Sequence, residues 1–347
     1  MRLSIFQTHK AIKMKLISVI IPTYNRPDCI KFFLENIVHE EFDSFQFEIY
    51  DSSTNDDTRN IVDGYSKTLN CISYHRCPSD LSSDKKIELA FLNAETDFVY
   101  LTGDSHCQKF HELENIILKK NDLTSLDLLR LENIKYDYFS KDINSNLYDK
   151  FLFEKSQIMF AKHYFVNLTM WGCSIIRTGI IKKAIQSGYF DKYRKLAKAP
   201  DWIYAFSITD YLSSHSSASR MAIVYTDTWL NYPNQKASSW LRDERWFSIA
   251  FEQFNNSMDL LPAEFNPVKE AIVKDHHDAA IVSRKTLLRL RINNVLTFRT
   301  AKKYKSSIKK YDNVYPRIIA MCLIPRFVLK SMLKAHQFLK RNTRKES

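Results

Sequence analysis

Four short apolar runs in the first third of the chain are each followed by a segment with helical periodicity. The first run, residues 17–21 (ISVII), is almost continuously apolar, as is typical of a strand buried in a parallel sheet. Apolar residues then recur at positions 30, 33, 34, 37 and 38, the spacing of an amphipathic helix. The order repeats for strands predicted at 47–50, 71–75 and 97–101. Such alternation predicts a parallel sheet with right-handed crossovers and helices on both faces.

Polar residues follow each predicted strand, at the edge where open α/β sheets bind ligands. After the fourth strand come Asp104 and His106, two positions apart. A carboxylate oxygen and an imidazole nitrogen suit a first-row divalent cation, and Mn²⁺ is the natural candidate if phosphate oxygens complete its shell. The alternative is a polar turn in which Asp104 or Ser105 caps the next helix.

Glycine and cysteine usage exclude several classes of protein. The five glycines cannot be arranged as a G-x-G-x-x-G fingerprint or a Walker loop, so neither a dinucleotide-binding Rossmann enzyme nor a P-loop NTPase is supported. The six cysteines form no C-x-x-C pair, which favours a chain kept in the reducing cytoplasm. Residues 1–16 contain too short an apolar stretch for a signal peptide.

The positive charge is concentrated at the end of the chain. From Arg284 onward there are 18 Lys and Arg against two acidic residues, whereas the whole chain has a net charge of +12. The apolar residues at 318–329 are interrupted by Pro325 and too few to span roughly 30 Å of hydrocarbon. We favour binding to an anionic membrane surface. An ordinary helical subdomain with a basic face is the alternative, and no nucleic-acid-binding motif is present.

Three motifs in the first third of the chain together resemble a known family. They are SVIIPTYNR at 18–26, Asp-x-x-x-x-Asp-Asp-Thr at 51–58 and Gly-Asp-x-His at 103–106. In this order and spacing they resemble the nucleotide-sugar half of a family-2 glycosyltransferase with the GT-A fold. The resemblance implies an α/β, Rossmann-like sheet with helices on both faces, and the charge distribution adds a mainly helical, basic C-terminal region. The divisions it implies are an N-terminal extension at 1–16, a nucleotide-sugar half at 17–118, an acceptor half at 119–245 and the helical region at 246–347.

The resemblance also implies roles at the donor site. The residues expected to bind the nucleotide sugar are Pro22, Thr23, Tyr24, Asp51, Asp84, Lys86 and Asp104. For Asp84 and Lys86, a solvated charge cluster is the alternative. Asp104 and His106 are expected to hold Mn²⁺, or Mg²⁺, although His106 stands where the family has an acid. A similar Asp-x-His occurs in the polypeptide N-acetylgalactosaminyltransferases, which use Mn²⁺.

The acceptor side is expected farther along the chain. Trp171 and Gly172 lie in a segment similar to the Trp-Gly-x-x-x-x-Arg segment of many relatives, where the Trp offers a face for a sugar ring; core packing is the plain alternative. Asp201, expected in the first turn of a helix, is the candidate general base, with helix-dipole stabilisation as its alternative role. Asp210 on the same helix is the second choice. His215, His276 and His277 are expected to be helix or surface residues, although one of them could complete a metal shell.

The sequence therefore predicts a metal-dependent inverting glycosyltransferase. It would transfer a sugar from a nucleotide diphosphate, with UDP favoured, to a lipid-linked or polymeric glycan at the cytoplasmic face of the membrane. Two alternatives remain, a non-catalytic membrane-peripheral protein with this fold and a sugar nucleotidyltransferase. The lack of a glycine-rich phosphate loop argues against the second.

Overall fold

The computed structural model describes residues 15–133, 145–215, 219–232, 243–278 and 282–331. The strands are β1 (Ile17–Thr23), β2 (Phe45–Asp51), β3 (Ile72–Arg76), β4 (Phe98–Leu101), β5 (His106–Gln108), β6 (Leu128–Asn133), β7 (Leu152–Glu154), β8 (Ser174–Arg177), β9 (Met221–Thr226) and β10 (Trp229–Asn231). The helices of the first part of the chain are α1 (Pro27–Glu35), α2 (Asp57–Tyr65), α3 (Ser83–Asn93), α4 (Phe110–Glu114), α5 (Gln157–Leu168), α6 (Thr178–Gln186), α7 (Tyr189–Lys192) and α8 (Ile203–His215). The later helices are α9 (Arg245–Phe247), α10 (Phe254–Leu260), α11 (Asn266–His276), α12 (Arg284–Ile292), α13 (Phe298–Lys303), α14 (Lys305–Lys309) and α15 (Tyr315–Leu323).

A mixed eight-stranded sheet forms the centre of the molecule, in the order β3-β2-β1-β4-β8-β6-β9-β7. The strands β3, β2, β1 and β4 are parallel, so their carboxyl ends share one edge. The strand β8 is antiparallel to both of its neighbours, β4 and β6. The short strands β5 and β10 pair with each other outside the sheet. The predicted α/β fold, with four parallel strands in its first third, is confirmed.

Burial on both faces of β1 explains its nearly continuous apolar sequence. Ile17, Val19 and Ile21 belong to one apolar cluster, together with side chains of α1. Ile20 points to the opposite face and joins a second cluster, which includes residues of α3. Side chains alternate between the faces of a strand, and helices cover both faces of β1. Every residue of β1 is therefore buried, including the polar Ser18 and Thr23.

The helices after residue 245 divide between two clusters. Phe254 of α10 contacts Phe165 of α5 and Phe206 of α8, so α10 extends the core of the preceding half. Trp246 and the apolar residues of α12 to α15 form a separate, third cluster. Apolar packing therefore continues across residue 246, and the four-part division of the chain stays a prediction.

The mainly helical character of the basic C-terminal region is confirmed. None of the helices in the described ranges combines the length and the apolar character that crossing a bilayer requires. All six cysteines are buried and free.

Candidate active site

The carboxyl ends of the parallel strands bring the first two sequence motifs together. Thr23, the last residue of β1, is the register partner of Asp51 at the end of β2. Asp51 is in turn the partner of Arg76 at the end of β3. These three residues therefore form a row along one edge of the sheet, which we call the strand edge.

Asp104 joins this row from the third motif. Its Oδ2 accepts a hydrogen bond of 2.9 Å from the Thr23 hydroxyl, and its Oδ1 accepts one of 2.6 Å from the Arg26 guanidinium. Burial raises the pKa of the Asp104 carboxyl, although Arg26, Thr23 and the charge of Lys86 oppose the rise. The carboxylate that the sequence motif singled out thus lies at the strand edge with cations around it.

Asp104 and His106 both follow β4, but they lie in different elements, Asp104 in a turn and His106 in a separate short strand. The strand β4 ends at Leu101, and Asp104 lies in the turn that follows. His106 begins β5, where it pairs with Asn231 of β10 and packs edge-to-face on Trp229, with 5.3 Å between the ring centroids. Burial and the Arg26 charge lower the pKa of His106 to about 4. The imidazole is therefore neutral at pH 7, the form that ligates metals.

The loop after β1 is fixed to the loop after β2. The Asn25 backbone N–H donates to Ser53 Oγ at 2.7 Å, and Asn25 Oδ1 accepts from the Thr54 backbone N–H at 2.9 Å. Asn25 has a φ of +51°, a left-handed conformation that asparagine tolerates better than most residues. Beside this anchor Tyr24 is exposed, while Pro22 is buried in β1. Tyr24 thus presents an aromatic ring beside the strand edge.

Asp51 is enclosed rather than open to a ligand. The Ser53 backbone N–H and hydroxyl donate to its Oδ1, and the Tyr74 hydroxyl donates to its Oδ2 at 2.8 Å. Arg76 Nη1 lies 3.4 Å from the same oxygen. With its side chain fully buried, Asp51 fixes the loop after β2 and contacts a nucleotide base directly only if one of these donors moves away.

Lys86 also points inward. Its ammonium donates to the Thr23 carbonyl at 2.6 Å and to Ser52 Oγ at 2.8 Å, and burial lowers its pKa. The side chain therefore ties α3 to the ends of β1 and β2. This geometry does not support the predicted direct contact with the nucleotide sugar. Lys86 instead acts on the strand edge through its charge and through the loops that it holds.

Trp171 and Gly172 reach the same region from the loop before β8. The Gly172 backbone N–H donates to the Leu101 carbonyl at 2.7 Å, and the Tyr100 hydroxyl donates to the Gly172 carbonyl at 2.8 Å. A Cβ placed on Gly103 would lie 3.2 Å from His106 Nδ1 and 3.8 Å from Trp171 Cε3. The predicted acceptor segment and the predicted metal motif are therefore neighbours.

A family model described as Glycosyl transferase family 2 matches residues 18–183, which contain all three motifs and Gly172. Residues 18–183 belong to glycosyltransferase family 2. No curated protein sequence matches the chain significantly.

Solved structures extend the similarity to nearly the whole length of the chain. Residues 1–349 of TarS from S. aureus match with a TM-score of 0.51 and 16% identity, over 93% of this chain and 92% of that chain. The same TarS fragment in complex with UDP matches with a TM-score of 0.50 and 17% identity, over 93% of this chain and 92% of that chain. The mannosyltransferase PcManGT from Pyrobaculum calidifontis, in complex with GDP-Man and Mn²⁺, matches with a TM-score of 0.52 and 13% identity. This match covers 91% of this chain and 88% of that chain. These similarities identify the GT-A fold.

The side chains at the strand edge are compatible with a divalent cation that completes its coordination with oxygens of a substrate. Asp104 supplies a carboxylate and His106 a neutral imidazole. No group of three or more His, Cys, Asp or Glu side chains that could hold a metal occurs in the described residues. When Mg²⁺ and Mn²⁺ bind together with nucleotides, they typically have one or two protein ligands, and phosphate oxygens and water fill the remaining positions.

Asp84, in the first turn of α3, is held by protein groups. Arg194 Nε donates to its Oδ2 at 2.7 Å, and Ser82 Oγ donates to its Oδ1 at 2.6 Å. Burial favours a higher pKa for Asp84, but the hydrogen bonds from Ser82 and Arg194 outweigh it and lower the pKa. Arg194 also pairs with Glu88, so Asp84 and Glu88 together link α3 to the segment before α8. Both oxygens of Asp84 are bonded to protein groups, which does not support its predicted role in donor binding.

Asp201 precedes α8 instead of standing in its first turn, since the helix begins at Ile203. It is exposed at the surface, yet desolvation by nearby protein raises its pKa, against a hydrogen bond from Gln253 and the charge of Arg245. Repulsion from Asp84 also raises the pKa of Asp201, so the two carboxylates lie within electrostatic range of each other. An accessible carboxylate with a raised pKa is suited to accept a proton.

Asp210 does not fit the role of second choice for the base. It is buried, and its Oδ2 accepts hydrogen bonds from Lys192 Nζ at 2.5 Å and from the Tyr193 hydroxyl at 2.9 Å. Both of its partners lie on the segment before α8, so the carboxylate holds α7 and α8 together. An ion pair of this kind leaves no proton-accepting oxygen open to a substrate.

The three candidate histidines are structural. His276 stacks on Phe254 with 3.6 Å between the ring centroids, and its Nε2 lies 3.0 Å from the Ala250 carbonyl oxygen. His277 pairs with Asp312 at 3.1 Å, and His215 stacks on Tyr211. These contacts give each imidazole a place in the helical packing, and the expectation that they are helix residues rather than ligands agrees with the geometry.

Several residues that the sequence patterns did not single out complete the site. Arg26 ends the first motif but was given no role, and it makes the ion pair with Asp104. Gln108 donates to the Tyr100 hydroxyl at 2.8 Å and accepts from Thr228 at 2.7 Å. Its sequence neighbours are mixed in polarity, so no pattern in the sequence singled it out.

A separate groove of about 780 Å³ is lined by residues of β1, β2 and β3, away from the strand edge. Polar side chains line it, among them Glu48 and His75, whose Oε2 and Nε2 are 3.6 Å apart. None of the residues predicted for the donor or the acceptor lines this groove.

Proposed function

We propose that this protein is a metal-dependent, inverting glycosyltransferase that moves a sugar from a nucleotide diphosphate sugar, with UDP favoured, to a lipid-linked or polymeric glycan. The observation that carries the proposal is the hydrogen bond between Thr23 and Asp104. It joins the first and third motifs at one carboxylate, beside the end of β2 where the second motif begins. Open α/β sheets bind ligands at such an edge.

The donor nucleotide would lie along the strand edge. Tyr24 offers an exposed aromatic face for the base, beside backbone groups of Pro22 and Thr23. Asp51 and Lys86 would act from behind this surface, because their contacts fix the loops after β1 and β2. Asp84 would position α3 through Arg194. The TarS structure contains UDP and the PcManGT structure contains GDP-Man, so this fold accommodates a nucleotide in the first protein and a nucleotide sugar in the second.

Asp104 and His106 would hold a divalent cation, with Mn²⁺ or Mg²⁺ as candidates. When bound, the cation would stabilise the negative charge of the departing nucleoside diphosphate. The PcManGT structure contains Mn²⁺ together with its donor. The protein's own contribution is a fixed carboxylate, oriented by Thr23, and a neutral imidazole held by the β5–β10 pair and Trp229.

Inversion requires an acceptor oxygen to attack the anomeric carbon from the side opposite the diphosphate. Asp201 would take the proton of the acceptor hydroxyl as the new carbon–oxygen bond forms. The bond to the diphosphate breaks in the same step, and its electron pair leaves with the phosphate oxygen. Exposure and a raised pKa support Asp201 in this role. Trp171 and Gly172, next to the metal motif, would border the acceptor.

The helical C-terminal region would bind an anionic membrane surface at the cytoplasmic face. Between residues 284 and 331 there are 13 Lys and Arg and one acid, Asp312. Three large apolar side chains of this region are exposed, Phe298 at 50%, Leu323 at 68% and Phe327 at 72%. Cations attract acidic headgroups, and inserted apolar side chains hold the protein in the interface. A lipid-linked acceptor would be reached from there.

The experiment is nucleoside diphosphate release from a panel of UDP- and GDP-sugars, with Mn²⁺ or with a chelator. The comparison is between the wild type, Asp104→Asn and His106→Ala, with Asp63→Asn on the exposed face of α2 as a control for loss of a carboxylate. Metal-dependent release from one donor, lost in the two site variants and kept in the control, is the expected result.

Other outcomes reject parts of the proposal. Full activity of Asp104→Asn, or full activity in chelator, would remove the metal from the mechanism. No turnover together with no donor binding, measured with and without Mn²⁺, would favour the non-catalytic alternative.

A further inference from the structure

Both oxygens of the Asp104 carboxylate are occupied by protein donors. The Thr23 hydroxyl takes Oδ2, and the Arg26 guanidinium takes Oδ1 at 2.6 Å. The two sides of the ion pair differ in exposure, since the Asp104 side chain is 6% exposed and that of Arg26 is 41% exposed. Arg26 therefore approaches a buried carboxylate from the solvent side, where a ligand of the strand edge would also arrive.

The charges around Asp104 oppose a second cation. Arg26 is in contact with the carboxylate, and the positive charge of Lys86 acts on it as well. A divalent ion at the same oxygens would be repelled strongly by the guanidinium in a buried site, where the effective dielectric constant is low. A nucleoside diphosphate carries several negative charges, and a guanidinium group can donate two parallel hydrogen bonds to two oxygens of one phosphate.

We propose that Arg26 is the counter-cation of Asp104 in the donor-free enzyme and moves to the diphosphate when the metal and donor bind. This inference rests on the proposed function. It makes Arg26 a residue that couples metal binding to donor binding. Without nucleotide, Arg26 and the metal compete for Asp104; with nucleotide, both cations have an anionic partner. Coupling of this kind is reciprocal, so the metal also tightens nucleotide binding.

The test measures Mn²⁺ binding to the full-length protein by electron paramagnetic resonance, alone and with saturating UDP or GDP. The variant is Arg26→Gln. The matched control is Arg76→Gln, which removes the same charge from the same edge and from a pair with Asp51 instead of Asp104. We expect Arg26→Gln to bind Mn²⁺ alone at least about 5-fold more tightly than the wild type, and to lose most of the tightening that nucleotide produces. Arg76→Gln should bind Mn²⁺ like the wild type.

The opposite results overturn the inference. An Mn²⁺ affinity of nucleotide-free Arg26→Gln that is equal to or weaker than that of the wild type means that Arg26 does not compete with the metal. An equal gain in Arg76→Gln means that net charge alone is responsible. If no variant binds Mn²⁺, the inference fails. Diphosphate release in chelator, measured on the same preparations, would then show that transfer itself survives.

Discussion

A Cβ placed on Gly172 would lie 3.0 Å from Cη2 of Trp229, and also 3.3 Å from the Thr102 hydroxyl. The φ of Gly172 is +86°, a region that other residues adopt with strain. Through this approach the loop before β8 contacts β10, the strand that pairs with the segment holding His106. The glycine therefore sets the spacing between the predicted acceptor segment and the predicted metal motif.

Substitution of Gly172 by alanine should destabilise the fold by about 1–3 kcal/mol, since it combines backbone strain with a steric clash. Gly188→Ala is the matched control, because Gly188 also has a positive φ, +81°, but no atom of the described residues would lie within 4 Å of the new methyl group. Chemical denaturation should show a larger loss for Gly172→Ala than for Gly188→Ala. Equal losses would mean that the contact with Trp229 is unimportant.

Substitution of Asp201 and substitution of Asp210, the two candidate bases near α8, should have different effects on transfer and on stability. Asp201→Asn should lower the rate of transfer by about 100-fold or more, the typical contribution of a general base, with donor binding and stability unchanged. Asp210→Asn should instead lower stability, because it leaves Lys192 without its buried carboxylate. Steady-state kinetics and thermal unfolding distinguish the two. Normal transfer by Asp201→Asn would assign the base elsewhere.

Acid should destabilise the protein through its buried histidines. Burial and the nearby His277 lower the pKa of His276 to about 3, from an ordinary value of 6.5. Between these values the unfolded chain binds a proton that the folded chain does not, so the free energy of unfolding falls as the pH falls from about 6.5 towards 3. The slope is about 1.4 kcal/mol per pH unit for one proton. His276→Gln should flatten the slope measured by urea denaturation at several pH values, and an unchanged slope would contradict this origin.

Membrane binding should depend on the exposed apolar side chains of the last helices. The double variant Leu323→Glu, Phe327→Glu should bind vesicles of phosphatidylcholine and phosphatidylglycerol about 10-fold or more weakly, because each inserted side chain contributes about 1.5–3 kcal/mol. Phe153→Glu is the control, since Phe153 is 63% exposed but lies on β7. Co-sedimentation measures the binding, which should also weaken with salt. Equal binding by all three proteins would reject this surface.

Local patterns were sufficient to predict the secondary structure of the first third of the chain. The strands β1 to β4 and the helices between them were predicted because burial on both faces leaves continuous apolar runs and helices leave a 3.6-residue period. The errors are small where they concern ends, such as β4 beginning at Phe98 instead of Asp97. The short strand β5, which contains His106, was not predicted, because it forms by pairing with β10, a segment far away in the sequence.

The side-chain partners were not predictable in the same way. Asp51, Asp84, Lys86 and Asp210 all carry charges that a sequence pattern can assign equally to a ligand or to the protein. The structure gives each of them a protein partner, as in the contact of Lys86 with the Thr23 carbonyl across 63 positions. Such contacts depend on which helix packs over which strand end, and the local sequence does not predict that packing.

The sequence by itself determined the α/β order of the first third, the three motifs at the strand edge and the concentration of positive charge near the end of the chain. These features follow from residue type and spacing along a single segment. The tertiary structure alone decided that Arg26 pairs with Asp104, that Gly172 lies against Trp229 and that Asp201 is accessible while Asp210 is not. Each of these is a relation between segments brought together by packing, so it exists only once the sheet and its helices have formed.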